Sequence, residues 1–223
     1  MTYKLYNWQE PHARKLAFAL NRFDVAIDAS DMGTGKTIIA VKVARSLGFI
    51  PVVVCPKAVV PNWKKVIGSV YGYDDSSDAM VFNYESLTRS KKDIPIIERT
   101  GRNKFRFRLD RRRVVLIFDE VHKCKGDKSL NGKLLYYAKE QRFKTLLLSA
   151  TAIHDPRDMK SIGYALGLHG YRDYWKWCLR NGCRKGFFGG LDFDSRGSSK
   201  VLKRLHDSIF GSGMLGSRLR IDD

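Results

Sequence analysis

The sequence predicts an α/β fold in which a mostly parallel sheet is covered by helices on both faces. Short apolar runs rich in Val, Ile and Leu alternate with amphipathic segments between residues 25 and 148. Apolar runs without polar interruptions are typical of strands that are buried on both sides. Their alternation with helices favours parallel pairing. Hydrophobic residues make up 43% of the chain, which is enough for a core and too many for a disordered protein.

Five strands and four helices are predicted in the first two thirds of the chain. The predicted strands are 25–29, 50–55, 79–82, 114–118 and 145–148, and the predicted helices are 37–47, 60–70, 84–90 and 131–141. Ligands of such sheets bind beyond the carboxyl ends of the strands. The polar residues that follow each strand are therefore the candidate site residues.

A small helical and hairpin extension is predicted after the last of these strands, over residues 152–213. It contains three helix-like segments, at 157–166, 171–180 and 200–210, and the glycine-rich stretch CRKGFFGGLDFD, which favours a hairpin. The tail, GSGMLGSRLRIDD, is flexible in composition.

A phosphate-binding loop is predicted directly after the first strand, in the stretch DASDMGTGKT at residues 28–37. A glycine-rich turn between a strand and a helix exposes backbone N–H groups, and the helix N-terminus adds partial positive charge. Gly33, Thr34 and Gly35 would cradle the phosphates, Lys36 would reach the β- and γ-phosphates, and Thr37 would place its hydroxyl on Mg²⁺. The expected cofactors are ATP and Mg²⁺.

A pair of carboxylates follows the predicted strand at 114–118, in the stretch VVLIFDEVH. Asp119 at the strand tip would hold Mg²⁺ through water, and Glu120 would orient or deprotonate the attacking water. A solvated acidic turn is the plainer interpretation, but it does not explain two carboxylates that come directly after five apolar residues. Lys36, Asp119 and Glu120 are therefore the candidate catalytic residues.

These motifs resemble those of the superfamily 2 helicases and translocases. DMGTGKT and DEVH look like motifs I and II, and LLLSAT looks like motif III. VVVCPKAVVPNW is similar to motif Ia of the Swi/Snf-like branch, and VFNYESL resembles the later strand-end motif of that branch. YNWQEPHARKLAFAL resembles the segment whose glutamine recognises adenine. The order is that of the family across residues 5–151. The resemblance implies a RecA-like P-loop NTPase lobe.

The resemblance also assigns roles to individual residues. Gln9 would read the adenine edge, while His122, Ser149 and Thr151 would couple the nucleotide site to the nucleic-acid groove. Two departures leave the branch open: Ser30 stands where other loops carry glycine, and SAT is more typical of DEAD/DEAH-box and phage-type branch-migration helicases. Duplex remodelling, annealing and branch migration all remain possible activities.

A nucleic-acid partner is predicted from the charge of the chain. Lys and Arg total 41 against 23 Asp and Glu, which gives a net charge of +18. Such a field favours a polyanion over an ordinary basic surface. The candidate contacts are Lys57, Tyr84, Arg106, Arg108, Arg111, Arg112 and Arg113. Contacts with phosphates alone do not separate DNA from RNA, which requires a 2′-hydroxyl contact; DNA is the favoured partner.

The expected organisation is an N-terminal helicase lobe over residues 1–213 and a connector at 214–223 toward a second lobe. The predicted function is the ATP-binding lobe of a DNA helicase or translocase, a weak ATPase without its second lobe. The alternatives are an RNA helicase lobe, a nucleic-acid-binding module with a relic phosphate loop, and a small P-loop kinase or switch. The polar N-terminus lacks a signal-peptide centre, which predicts a soluble cytoplasmic protein, or a nuclear one in a eukaryote.

Overall fold

The structure of the chain is a computed structural model. It describes most of the chain, namely residues 3–73, 79–89, 94–102, 104–126, 128–151, 155–187, 189–194, 199–211 and 214–220. Within these ranges, no helix combines the length and the apolar character that a membrane span requires.

A six-stranded parallel sheet forms the centre of the molecule. Its strands are β1 (Val25–Asp28), β2 (Ile50–Cys55), β3 (Val81–Asn83), β6 (Val114–Asp119), β7 (Lys144–Leu148) and β10 (Gly216–Ser217). Their spatial order is β10-β1-β7-β6-β2-β3, and every pairing between them is parallel. The five predicted strands are confirmed to within a few residues. β10 is additional, and it lies in the segment that composition alone described as flexible.

Helices cover both faces of this sheet. They are α1 (Gln9–Phe23), α2 (Lys36–Ser46), α3 (Val60–Tyr71), α4 (Tyr84–Arg89), α5 (Leu130–Glu140), α6 (Lys160–Leu166), α7 (Tyr174–Arg180) and α8 (Ser199–Phe210). Alternate strand residues face opposite layers: Val53 packs with α1, α2 and α3, whereas Val52 and Val54 pack on the side of α5 and α6. Burial on both faces explains why the strands read as continuous apolar runs.

Two small hairpins lie outside the central sheet. β4 (Ile97–Gly101) pairs with β5 (Lys104–Phe107) in antiparallel register. Apolar and basic residues alternate along β5, where Phe105 and Phe107 are buried while Lys104 and Arg106 are exposed. β8 (Arg184–Lys185) and β9 (Leu191–Asp192) form the second pair, within the predicted glycine-rich hairpin.

Parallel strands give the sheet two chemically different edges. The carboxyl edge comes after Asp28, Cys55, Asp119 and Leu148, and the amino edge comes before Val25, Ile50, Val114 and Lys144. Connections at the carboxyl edge include the glycine-rich loop and the DEVH and SAT stretches. The fold therefore gathers at one edge three motifs that are spread over more than a hundred residues of sequence.

Candidate nucleotide and nucleic-acid site

The predicted phosphate loop forms a left-handed turn between β1 and α2. Gly33 has φ of 85° and Gly35 has φ of 84°, a region that only glycine adopts at no steric cost. A Cβ at Gly35 would also meet the Gln9 side-chain nitrogen at 2.6 Å. The Lys36 ammonium donates to the carbonyl oxygens of Ser30 and Asp31, at 2.9 and 2.8 Å. The lysine side chain therefore lies along the loop, and its two hydrogen bonds hold the loop in a closed turn.

Ser30, which occupies the position of an expected glycine, has a partner at the far end of the chain. Its buried hydroxyl accepts a hydrogen bond from the Leu219 backbone N–H at 2.8 Å. Next to it, the Arg218 guanidinium lies 3.1 Å from the Asp31 carboxylate. The backbone N–H of Ser30 donates to Asp28, which lies 3.1 Å from the buried imidazole of His12. The loop is thus tied both to α1 and to the segment that follows β10.

Gln9 lies at the start of α1 and is buried against the phosphate loop. Its side-chain nitrogen donates to the Thr34 carbonyl at 2.8 Å, and its carbonyl oxygen accepts from the Tyr6 N–H. Two neighbouring aromatic side chains, Tyr6 and Trp8, are 67% and 51% exposed. Their rings are nearly parallel, with centroids 6.1 Å apart. These two rings were not among the predicted site residues, although their exposure beside Gln9 offers an apolar surface to a base.

Asp119 ends β6 in a mostly buried position. One carboxylate oxygen accepts from the Trp63 indole N–H at 2.9 Å, and the other accepts from the Glu120 backbone N–H at 3.0 Å. Burial raises the pKa of Asp119, the Trp63 hydrogen bond acts in the opposite direction, and the Glu120 carboxylate adds to the rise. Lys36 is close enough for its positive charge to lower the same pKa. The phosphate-loop lysine and the strand-end aspartate therefore lie near each other at the carboxyl edge of the sheet.

A polar chain links the DEVH turn to the SAT turn. Glu120 adopts a left-handed backbone conformation with φ of 51°, and its carboxylate lies 3.1 Å from Nδ1 of His122. The same nitrogen lies 3.3 Å from the hydroxyl of Ser149, which accepts from the Thr151 N–H at 3.2 Å. The structure thus brings together Glu120, His122, Ser149 and Thr151. Their contacts join the ends of β6 and β7, which are adjacent strands.

The residues at this edge fit a magnesium ion that is shared with a nucleotide. Among the described residues, no group of three His, Cys, Asp or Glu side chains could enclose a metal by itself. Mg²⁺ is commonly bound by one or two carboxylates together with substrate phosphates, which matches Asp119 and the Thr37 hydroxyl.

The four cysteines are buried free thiols, and burial raises the pKa of the Cys124 thiol to about 12. A protonated thiol is a poor zinc ligand.

The predicted nucleic-acid contacts do not form one surface. Lys57 is exposed just beyond β2, at the carboxyl edge. Tyr84 is only 1% exposed, and its hydroxyl donates to the Asp119 carbonyl at 2.8 Å, so its side chain supports the aspartate and is not available to a nucleic acid.

The predicted arginines lie elsewhere. Arg106 and Arg108 belong to the β4–β5 hairpin and the residue after it, where the backbone around Phe107 is held by the Gln141 side chain at the end of α5. Arg111, Arg112 and Arg113 immediately precede β6. The last three are exposed at the amino edge, opposite the phosphate loop.

The parallel sheet, the phosphate loop and the linked DEVH and SAT turns define the N-terminal RecA-like lobe of a superfamily 2 helicase. A family model described as "Type III restriction enzyme, res subunit" matches residues 2–154. The chain belongs to this family.

Two relatives and one solved structure extend the comparison. A protein of Acanthamoeba polyphaga mimivirus named as an ATP-dependent RNA helicase is 35% identical over 179 residues, which cover 70% of this chain and 32% of that protein. A Caenorhabditis elegans homologue of the SWI/SNF-related matrix-associated actin-dependent regulator of chromatin subfamily A-like protein 1 is 28% identical over 162 residues, 64% of this chain and 21% of that protein.

The solved structure is the Sulfolobus solfataricus SWI2/SNF2 ATPase core in complex with dsDNA. It superposes with a TM-score of 0.65 over 100% of this chain and 46% of that chain, at 18% sequence identity. At that identity the similarity concerns the fold. The chain spans between about a fifth and a third of the length of the two relatives it matches.

Proposed function

We propose that this chain is the ATP-binding lobe of a DNA helicase or translocase, and that it couples ATP hydrolysis to movement on, or remodelling of, duplex or branched DNA. One observation carries the proposal: Lys36, Asp119 and the Glu120–His122–Ser149 contacts converge at the carboxyl edge of a single sheet. A phosphate loop alone would serve a kinase or a switch equally well. The polar chain from Glu120 to Thr151 has no role in those classes.

Each residue of the site has a defined task in this proposal. Gln9 reads the adenine edge, and Tyr6 or Trp8 offers a ring face to the base. Lys36 exchanges its bonds to the Ser30 and Asp31 carbonyls for bonds to the β- and γ-phosphates. Thr37 and Asp119 hold Mg²⁺, which would neutralise phosphate charge. Glu120 orients the attacking water. His122 couples the position of Glu120 to Ser149 and Thr151 through its contacts with Glu120 and Ser149.

A second lobe is part of the proposal. In P-loop ATPases an arginine supplied from outside the phosphate loop can accelerate hydrolysis by about 10³–10⁵-fold. The described arginine that lies beside the phosphate loop, Arg218, is 3.1 Å from the Asp31 carboxylate. We therefore expect the 223-residue chain to bind ATP and to hydrolyse it slowly, with little stimulation by DNA.

The nucleotide site is tested by a Lys36→Ala variant. Removal of a charge-assisted donor to phosphate should weaken binding of a fluorescent ATP analogue by about 100-fold. Lys42→Ala is the matched control, since Lys42 lies on the same helix nearly two turns further on and should leave affinity unchanged. Unchanged nucleotide affinity in the Lys36 variant would support a relic loop in a nucleic-acid-binding module and refute the proposal.

An RNA helicase lobe is the second candidate, and the mimivirus relative favours it through its name. Binding of matched DNA and RNA oligonucleotides to the chain, each measured over a series of salt concentrations, separates the two. A higher affinity for DNA at every salt concentration supports the first candidate. A higher affinity for RNA requires a contact with the 2′-hydroxyl and supports the second.

A further inference from the structure

We propose that a cavity beyond the DEVH and SAT turns binds an unstacked base of single-stranded nucleic acid together with its neighbouring phosphates. This inference rests on the proposed nucleic-acid function and specifies the form of the ligand. The cavity has a volume of about 620 Å³, and we name it the aromatic pocket. It is lined by Lys125, Gly126, Arg157, Lys160, Tyr171, Arg172, Tyr174, Trp175 and Leu191.

The lining of the aromatic pocket carries four cationic side chains. Two of them are fixed by acids: Lys125 lies 2.6 Å from Asp158, and Arg157 lies 2.7 Å from Asp155. The other two are Lys160 and the exposed Arg172. No acidic side chain lines the cavity itself among the described residues. The wall of the pocket is therefore suited to an anion.

Three aromatic rings, those of Tyr171, Tyr174 and Trp175, form much of the remaining wall. The Lys160 ammonium lies over the rings of Tyr171 and Tyr174, at 5.4 and 5.5 Å from their centroids. The Tyr174 hydroxyl donates to the Arg157 carbonyl at 2.6 Å, which fixes that ring against the turn before α6. Trp175 is 41% exposed. A positioned set of rings beside cations is the combination that binds single-stranded nucleic acid by stacking and phosphate contact.

The aromatic pocket lies at the functional edge of the sheet. Lys125 comes directly after the short 3-10 turn Val121–Cys124 that contains His122. Arg157 and Lys160 follow the SAT stretch by a few residues. The pocket is thus lined in part by segments that follow, along the chain, the two turns joined by the His122–Ser149 contact. A strand held here would lie close in sequence to the turns that the proposed function couples to the nucleotide.

A recess of this kind discriminates between paired and unpaired strands. In a duplex both faces of every base are covered by neighbouring bases, and only phosphates and groove edges are available to a protein. A ring in the wall gains stacking energy only from a base that is already unstacked or splayed out. The cationic residues alone would bind both forms. The aromatic contribution should therefore favour single strands.

A Trp175→Ala variant tests the proposal. Binding of a labelled 15-nucleotide oligo-dT and of a duplex of equal length is measured by fluorescence anisotropy. We expect the affinity for the single strand to fall about tenfold, as for the loss of one stacked base, and the affinity for the duplex to change less than twofold. Phe18→Ala is the control, because it removes a half-exposed ring that does not line the aromatic pocket. It should change neither affinity. An oligo-U arm shows whether the single strand is DNA or RNA.

Fluorescence provides a second measurement that does not depend on the alanine variant folding. Oligo-dT should quench the tryptophan emission of the wild-type chain, and Trp175→Phe should lose most of that quenching while binding within about threefold of wild type. Equal losses for single strand and duplex, or quenching retained in Trp175→Phe, would overturn the assignment. These variants should leave nucleotide binding at the Lys36 site unchanged, so failure here is distinct from failure of the proposed nucleotide site.

Discussion

The two edges of the central sheet are both basic, yet they are organised differently. At the amino edge, Arg111, Arg112 and Arg113 follow one another along the chain and are exposed to solvent. At the carboxyl edge, Lys36 contacts two loop carbonyls, and the cations of the aromatic pocket come from three separate segments. The cations at the carboxyl edge therefore come together from separate parts of the sequence, whereas those at the amino edge are neighbours in the sequence.

This comparison shows how far positive charge can locate a site. A run of arginines is conspicuous in a sequence, but the run before β6 lies on the opposite edge from the phosphate loop. The cations of the aromatic pocket are scattered over residues 125–172, and only the fold brings them together. Three pairs of variants, each with one member at the carboxyl edge and its control at the amino edge, test this difference.

The largest effect is expected from glycine substitutions at the two edges. Gly35 and Gly48 have similar backbone angles, with φ of 84° and 77°. A Cβ at Gly35 would meet the Gln9 amide at 2.6 Å, whereas at Gly48 it would meet no described atom within 4 Å. Gly35→Ala should weaken nucleotide binding by about 30-fold, from roughly 2 kcal/mol of backbone strain and lost hydrogen bonding.

Gly48→Ala should carry the same backbone strain and leave nucleotide affinity within twofold of wild type. Isothermal titration with an ATP analogue measures both variants, and thermal unfolding shows that both are folded. Equal losses of affinity at the two glycines would mean that the effect is one of general stability, and that the edges do not differ in the way described.

An intermediate effect is expected from pairs of charges. Lys160→Gln with Arg172→Gln removes two cations from the aromatic pocket, and Arg111→Gln with Arg112→Gln removes two from the amino edge. For single-stranded DNA, each lost phosphate contact should lower the slope of log affinity against log salt by about 0.7. We expect a change of about 1.4 for the first pair and close to zero for the second. The opposite result would place the nucleic acid at the amino edge.

The smallest effect is expected from the two acids at the ends of β6. Burial raises the pKa of Asp119 above its ordinary value of 3.8, so the folded chain holds this proton more tightly than the unfolded chain. Ionisation then costs stability as the pH rises through the folded pKa. Asp119→Asn should raise the melting temperature at pH 7.5 by about 1–3 °C, under about 1 kcal/mol, and the gain should disappear below pH 3.8.

Asp110→Asn is the matched control for this prediction. Asp110 is exposed in the turn before the same strand, where it accepts from the Arg112 N–H at 3.0 Å, and its replacement should bring no gain in stability. Unfolding curves at several pH values test both variants. If Asp119→Asn destabilised the chain at pH 7.5, the carboxylate would be stabilising the fold through its hydrogen bonds with Trp63 and Glu120.

Much of the fold and the nucleotide site could be predicted because their signals are local. Each of the five predicted strands contains an apolar run, and each motif directly follows one of them, so the sheet alone determines that Lys36 and Asp119 share an edge. The roles of the site residues themselves stay predictions. Gln9 was placed by its resemblance to the adenine-reading segment, and it does contact the phosphate loop.

The remainder depends on contacts that no local pattern contains. Ser30 departs from the glycine pattern of the phosphate loop, and only the fold shows that its hydroxyl accepts a hydrogen bond from the Leu219 N–H. Tyr84 follows a strand, as a surface contact would, but the fold buries it beneath Asp119. β10 has only two residues in a glycine-rich segment, and its pairing with β1 is what makes it a strand. Such features depend on partners that are distant in the sequence, 35 residues away for Tyr84 and 189 residues away for Ser30.

The position of β10 has a consequence for the order in which the protein is completed on the ribosome. β10 pairs Gly216 with Ile27, so an edge of the sheet beside β1 is closed by residues synthesised almost 190 positions later. Until then, the nascent lobe can assemble β1, β7, β6, β2 and β3, but Ser30 and Asp31 have yet to meet Leu219 and Arg218. The phosphate loop follows the first strand to be synthesised, yet its contacts with Leu219 and Arg218 are among the last that the chain can form.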